Sequence, residues 1–345
     1  MGMSSEYSEL IRNERAKKRK RYSILSTSGV YSVKQRINLL VASMNLIVIA
    51  GLTTAGVYYY GKYSAYREQE MLSSVYLQAV TANYEPPIEE IVPDASEDNI
   101  DSGVEEEEEK PMVLLEGAKV LLAENEDTAG YIKIDGIKVD NVVVQGDDNE
   151  FYLNHDFYGK KSQPGTLFID NRCTVNTRRD SDNLIIYGHN QKDGRMFGEL
   201  DLYKWNPEFW KEHYIINFNT NYEENEYVIV ASFVTNELAS QDNGNLFDYY
   251  NYIYFNKYYP FETWYTEIMQ RTTFWTGIEC TAEDEYITLS TCSTEWEPSR
   301  HVIIARKLHE GEVVDTSKWE ENTNPKWPQI YYDLYFGGKV WKEGT

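Results

Sequence analysis

Cysteine is scarce in this chain, with only Cys173, Cys280 and Cys292 among 345 residues. That number excludes a fold stapled by a dense disulfide framework, and because it is odd, at least one thiol is free or shared between chains. Cations are scarce once the N-terminus is passed, and the formal net charge is −23. Phosphate backbones need clustered cations, so nucleic acid is not an expected partner. The sequence also lacks a glycine-rich phosphate loop, paired-cysteine zinc spacing and any internal repeat. No metal site and no cofactor is therefore expected.

Charge is absent altogether from Ile37 to Tyr60 (INLLVASMNLIVIAGLTTAGVYYY). About 20 apolar residues cross a bilayer core, so this run fits one transmembrane helix, with Tyr58, Tyr59 and Tyr60 at an interfacial belt. A cleaved signal peptide would be shorter, would start nearer the N-terminus and would end in a small-x-small site, none of which applies here. Nine Lys/Arg residues, from Arg12 to Arg36, precede the run. They place residues 1–36 in the cytoplasm as a basic tail that can touch membrane lipid, and they send the body outside.

Residues 61–111 read as a polar and then acidic linker. It carries Pro86, Pro87, Pro93, Pro111 and the run Glu105–Glu109, with a stretch at Lys62–Asn83 that has helical character. Proline stiffness and repelling carboxylates predict an extended spacer that holds the body away from the membrane. From residue 112 to 345 the chain is rich in short β-branched and aromatic segments separated by Gly, Asn and Asp. Strands are expected at Tyr131–Ile134, Val139–Val144, Leu167–Ile169, Leu184–Tyr187, Ile215–Phe218, Tyr227–Val234, Tyr286–Thr291 and Val302–Arg306. Helices are expected at Pro207–Glu212 and Phe261–Arg271. The fold class is mainly β, a one-domain barrel or sandwich with a few helices.

Three stretches carry residues suited to chemistry. Leu184–Asn190 is an apolar strand that ends in Tyr187, Gly188 and His189, and Tyr286–Cys292 is a strand with a thiol at its C-terminal edge. Arg300 opens the next strand, eight residues beyond Cys292. If those last two strands pair antiparallel, Cys292 and Arg300 become neighbours. A thiol, an imidazole and a guanidinium together suit a thiolate nucleophile with oxyanion stabilisation. Singly, each residue has a structural alternative, and spacing alone does not name the reaction.

The stretch Thr288-Leu-Ser-Thr-Cys292, followed by Arg300 and a Val-Ile-Ile-Ala strand, resembles the signature of sortases. Tyr187-Gly-His-Asn190 followed by Asp193-Gly-Arg-Met-Phe-Gly-Glu-Leu200, and the segment Gly146–Arg172, resemble the class B variety. The resemblance covers about residues 112–308. It implies an eight-stranded sortase-type β-barrel with a helix before the cysteine strand, a place that Phe261–Arg271 fits. It implies Cys292 as nucleophile, His189 as general acid/base and Arg300 as the oxyanion-stabilising residue. Tyr187, Ser290, Thr291, Asn149 and Leu153 would line the substrate groove. The implied enzyme cleaves a C-terminal sorting signal after Thr and transfers the surface protein to a peptidoglycan precursor or cross-bridge amine, on the outer face of a Gram-positive membrane. A pilin-joining sortase, a non-catalytic envelope peptide-binding module and a plain cysteine protease are the alternative readings. The aromatic tail after Glu310 is longer than the resemblance explains and is expected to pack on the barrel. Cys173 and Cys280 read as structural thiols, although a disulfide between them is conceivable.

Overall fold

Residues that are branched at Cβ or aromatic fit a pleated, two-sided surface, and all eight expected strands form. The computed structural model describes residues 3–81 and 111–343 and divides into two units, Met1–Gly61 and Lys62–Thr345. In chain order the elements are α1 (Met3–Thr81), α2 (Glu116–Leu122), β1 (Thr128–Lys133), β2 (Asp140–Val144), β3 (Leu167–Ile169) and β4 (Asn183–Tyr187). There follow α3 (Leu202–Trp205), α4 (Pro207–Glu212), β5 (Ile215–Thr220), β6 (Glu226–Asn236), α5 (Phe261–Arg271) and β7 (Phe274–Trp275). The chain then adds β8 (Tyr286–Cys292), β9 (Ser299–Lys307), β10 (Glu320–Glu321) and α6 (Gln329–Tyr335).

Eight strands close into a barrel in the order β1-β2-β3-β4-β8-β9-β6-β5. Closure removes the exposed edges that would otherwise invite aggregation. Most neighbours are antiparallel, but β2 with β3 and β4 with β8 run parallel. The interior is filled by Ile132, Val143, Ile185, Leu289 and Ile303, all fully buried. On the outer surface Trp264 and Ile268 of α5 pack against Val228, Val230, Val302 and Ile304. The aromatic C-terminal tail packs on the body as expected, with β10 pairing β7 and with Trp319 and Trp327 buried.

Within Leu40–Thr81, α1 contains the one stretch among the described residues that is long and apolar enough to cross a membrane. Its last part, Lys62–Thr81, corrects the expected domain division. Leu72, Tyr76 and Ala79 follow one another at helical spacing and are buried, so this stretch belongs to the body rather than to a linker. The Tyr76 ring stacks on Tyr131 of β1 at 3.9 Å and 2°, and its hydroxyl accepts from Asn219 Nδ2 at 3.0 Å. Gly117 of α2 sits against that ring, where a Cβ would collide with it. The proline- and glutamate-rich run at 82–110 lies outside the described residues. Both its flanks, Thr81 and Pro111, fall within the Lys62–Thr345 unit.

Removing the Tyr76 ring, only 6% exposed, should therefore cost about 3 kcal/mol, as for other buried aromatic truncations. Urea denaturation of Tyr76→Ala and of Gly117→Ala checks this. Both variants should lower the midpoint, the second by displacing the same ring.

Candidate active site

β4 and β8 run side by side in the same direction, with Tyr187 opposite Ser290, so their C-terminal ends share one rim of the barrel. His189 leaves β4 at that rim and Cys292 ends β8 there. β9 returns antiparallel and sets Arg300 directly opposite Cys292. The structure thus brings the three expected reactive residues to one rim. Gly188, between Tyr187 and His189, is required for close packing, because a Cβ there would run into Leu167 and Phe197.

Arg300 Nη1 donates to Cys292 Sγ at 3.3 Å. Its other nitrogens hold Glu237 Oε1, Nε at 2.8 Å and Nη2 at 2.7 Å, which fixes the guanidinium plane. Burial alone would lower the Arg300 pKa, but the neighbouring Cys292, Tyr249 and Glu237 outweigh it and hold the group charged. His189 Nε2 donates to the Leu153 carbonyl at 2.7 Å, which leaves Nδ1 as the nitrogen able to exchange a proton. Leu153 therefore meets His189 through its backbone carbonyl.

Of the three thiols, all free, Cys292 alone is exposed. Burial pushes both Cys173 and Cys280 up to about 12, which leaves them protonated and poor nucleophiles. Their being free also sets aside a Cys173–Cys280 disulfide.

Beside Arg300 lies a cleft of about 390 Å³ lined by Asn149, Asp170, Tyr187 and Tyr249, among others. Asn149 and Tyr187 are therefore placed in the wall of the cleft that Arg300 borders. Ser290 and Thr291 are not. Thr291 is 0% exposed, on the opposite face of β8 from Cys292, and Ser290 is buried with its Oγ bonded to Tyr249 OH at 2.7 Å. Strand alternation, with both faces of β8 covered, removes them from the groove surface.

Sequence reading missed the polar frame behind the thiol. Asn190 Nδ2 donates to the Cys292 carbonyl at 2.9 Å and to the Asp201 carboxylate at 3.3 Å, which ties the histidine strand to the cysteine strand. Lys204, 3% exposed, contacts Asp201 at 2.8 Å, Glu295 at 3.0 Å and Ser293 Oγ at 2.9 Å. His301 lies beneath, and burial followed by the nearby Lys204 charge keeps it neutral. Position beside His189 was the only sequence signal for Asn190, and charged residues such as Lys204 read as surface.

Residues 132–308 match the family described as the Sortase domain. This chain belongs to the sortase family. Sortase B of Listeria monocytogenes is 32% identical over 185 residues, 52% of this chain and 69% of that one. Sortase B of Staphylococcus aureus is 27% identical over 185 residues, covering 53% and 71%. In fold, the sortase resembles the Staphylococcus aureus sortase B–substrate complex, with TM-score 0.56, 22% identity, and coverage of 72% of this chain and 97% of that one. Sortase B from B. anthracis gives TM-score 0.54 at 21% identity, with coverage of 72% and 99%. The chain is a class B-like sortase and a cysteine transpeptidase.

Two outcomes follow for this sortase. Asp170, whose side chain is 0% exposed, accepts from Tyr187 OH at 3.0 Å and from the Arg172 guanidinium at 2.7 Å. Burial would raise its carboxyl, but the Arg172 hydrogen bonds prevail and hold it below the usual range. A depressed carboxyl contributes stability above its unfolded pKa and loses it as pH falls through the folded one. The stability gap between the native protein and Asp170→Asn should thus be full at neutral pH. It should close in acid, below the ordinary carboxylate range, in thermal melts against pH. Lys204→Met, which leaves Asp201 and Glu295 without their cation, should cost about 1–3 kcal/mol in the same melts.

Proposed function

We propose that this sortase cleaves a C-terminal sorting signal after threonine and joins the resulting carbonyl to a cell-wall amine, with Cys292 as nucleophile. The observation that carries the reading is the 3.3 Å contact between the Arg300 guanidinium and the only exposed thiol, at the rim that also holds His189. The Cys292 thiolate attacks the threonine carbonyl carbon, and the carbonyl π electrons move to oxygen. Arg300 stabilises that oxyanion. The C–N bond then breaks, and His189, through Nδ1–H, gives its proton to the departing amine. A thioester remains. An incoming amine attacks it, loses a proton to His189, and expels the thiolate as the new amide forms. A positioned amine outcompetes water, so transfer prevails over hydrolysis.

The cleft beside Arg300 would take the sorting peptide, with Tyr187 and Asn149 among its walls. The uncharged run 37–60 would anchor the chain in a membrane, with the basic residues 1–36 in the cytoplasm and the barrel outside. The likeness to sortase B proteins favours anchoring of surface proteins to the wall over pilin polymerisation.

Mass spectrometry of the protein incubated with threonine-containing sorting peptides tests the assignment. The expected result is a thioester on Cys292 that a diamino-acid or glycine amine converts into a new amide. Cys292→Ala should form no adduct yet still bind peptide, and Arg300→Ala should slow acylation about 10²–10³-fold. A folded protein whose Cys292 forms no adduct with any such peptide would overturn the assignment.

A further inference from the structure

Between the C-terminal tail and α3–α4 lies a second cavity, of about 330 Å³, that transpeptidation as described does not use. Its size falls in the range of small-ligand sites. Two of its indoles stack, Trp205 on Trp327 at 5.2 Å and 23°, and Trp327 continues onto Tyr331 at 4.3 Å and 22°. Trp327 is buried, whereas Trp205 remains 56% exposed, so the stack ends in an open aromatic surface. Trp210, 1% exposed, lines the same cavity, with its Nε1–H enclosed rather than offered to the opening. Asn206 spends its Oδ1 on the Phe209 N–H at 3.1 Å, which leaves its amide nitrogen as a further donor.

Charge narrows what fits. Lys204 lines the cavity, but Asp201 and Glu295 match its charge, and Glu321 adds an exposed carboxylate to the wall. An anionic ligand would meet no uncompensated cation. A neutral ring with an apolar face for the Trp205 indole and hydroxyls for the Asn206 amide suits this wall, and that is a saccharide. The cavity also shares a wall with the loop behind the thiol. Lys204 donates to Ser293, the residue after Cys292, and Tyr335 OH donates to the Glu295 carbonyl at 3.0 Å.

We propose that this cavity is a neutral-saccharide subsite that holds the glycan part of the amine acceptor while its amine reaches Cys292. The proposal rests on the transpeptidase reading of Cys292 and adds the place where the acceptor's glycan is held, its amine being carried on the attached stem peptide. Trp205→Ala and Thr323→Val, both at exposed positions of the lining, are compared with the native chain in two measurements. Titration with an N-acetylglucosamine tetramer, read by tryptophan fluorescence, should saturate for the native chain and weaken about tenfold for Trp205→Ala. Transfer should favour a muropeptide over its free stem peptide bearing the same amine, and Trp205→Ala should remove that preference. Thioester formation and transfer to the free stem peptide should be unchanged. Absence of saturable saccharide binding, or a muropeptide preference that survives both substitutions, overturns the proposal. So does binding of the free stem peptide in the cavity, which would assign it to peptide instead. Failure of every variant to form a thioester would strike the Cys292 assignment, while the saccharide titration would still decide the cavity.

Discussion

The parallel pairing of β4 with β8 is the constraint on which the site depends. Two strands that run the same way must deliver their C-terminal ends to the same rim, and here those ends are followed by His189 and Cys292. Inside the sheet, Thr288 Oγ1 donates to Asn183 Oδ1 at 2.9 Å, a buried polar pair across this junction. A one-residue slip would bury the thiol's side chain on the wrong face and orphan both of those groups. The antiparallel return of β9 then leaves Arg300 no position other than opposite Cys292. Sequence separations of about a hundred residues collapse into one constellation through register alone.

Behind that rim the protein places charge where apolar packing would have been simpler. Lys204, Asp201 and Glu295 form a largely enclosed ionic cluster that touches the residue after the thiol, and Asn190 links the cluster to the Cys292 carbonyl. Buried ion pairs are weak sources of net stability because desolvation offsets their attraction. Their geometric demands, however, admit few alternative arrangements of the loop that follows Cys292. The arrangement therefore serves to orient the loop after the thiol rather than to add stability.

Strands and the helices at Pro207–Glu212 and Phe261–Arg271 were legible because their patterns are local: β-branched runs between turn residues, and an amphipathic repeat. The proposed reactive trio was legible because each member sits at a strand end. What escaped reading depended on partners far along the chain. Ser290 and Thr291 lie in the same motif as Cys292, yet β8 is covered on both faces, and no local pattern says so. Leu153 contributes a carbonyl, which any residue possesses. The stretch Lys62–Thr81 looked like linker because Leu72, Tyr76 and Ala79 are isolated among polar residues, although their spacing of four and three already traced one helical face. Only the presence of Tyr131 opposite Tyr76 gives that face something to cover.

That docked helix changes what a cut in the chain would do. In a simple tether, one cleavage between Thr81 and Pro111 would free everything downstream. Here the fragment ending near Thr81 remains clasped to β1 by the Tyr76 ring, its hydrogen bond to Asn219 and the side of α2. A nicked chain would stay together as a two-piece complex, and separation of its pieces would follow the dissociation rate of one helix rather than the rate of cleavage.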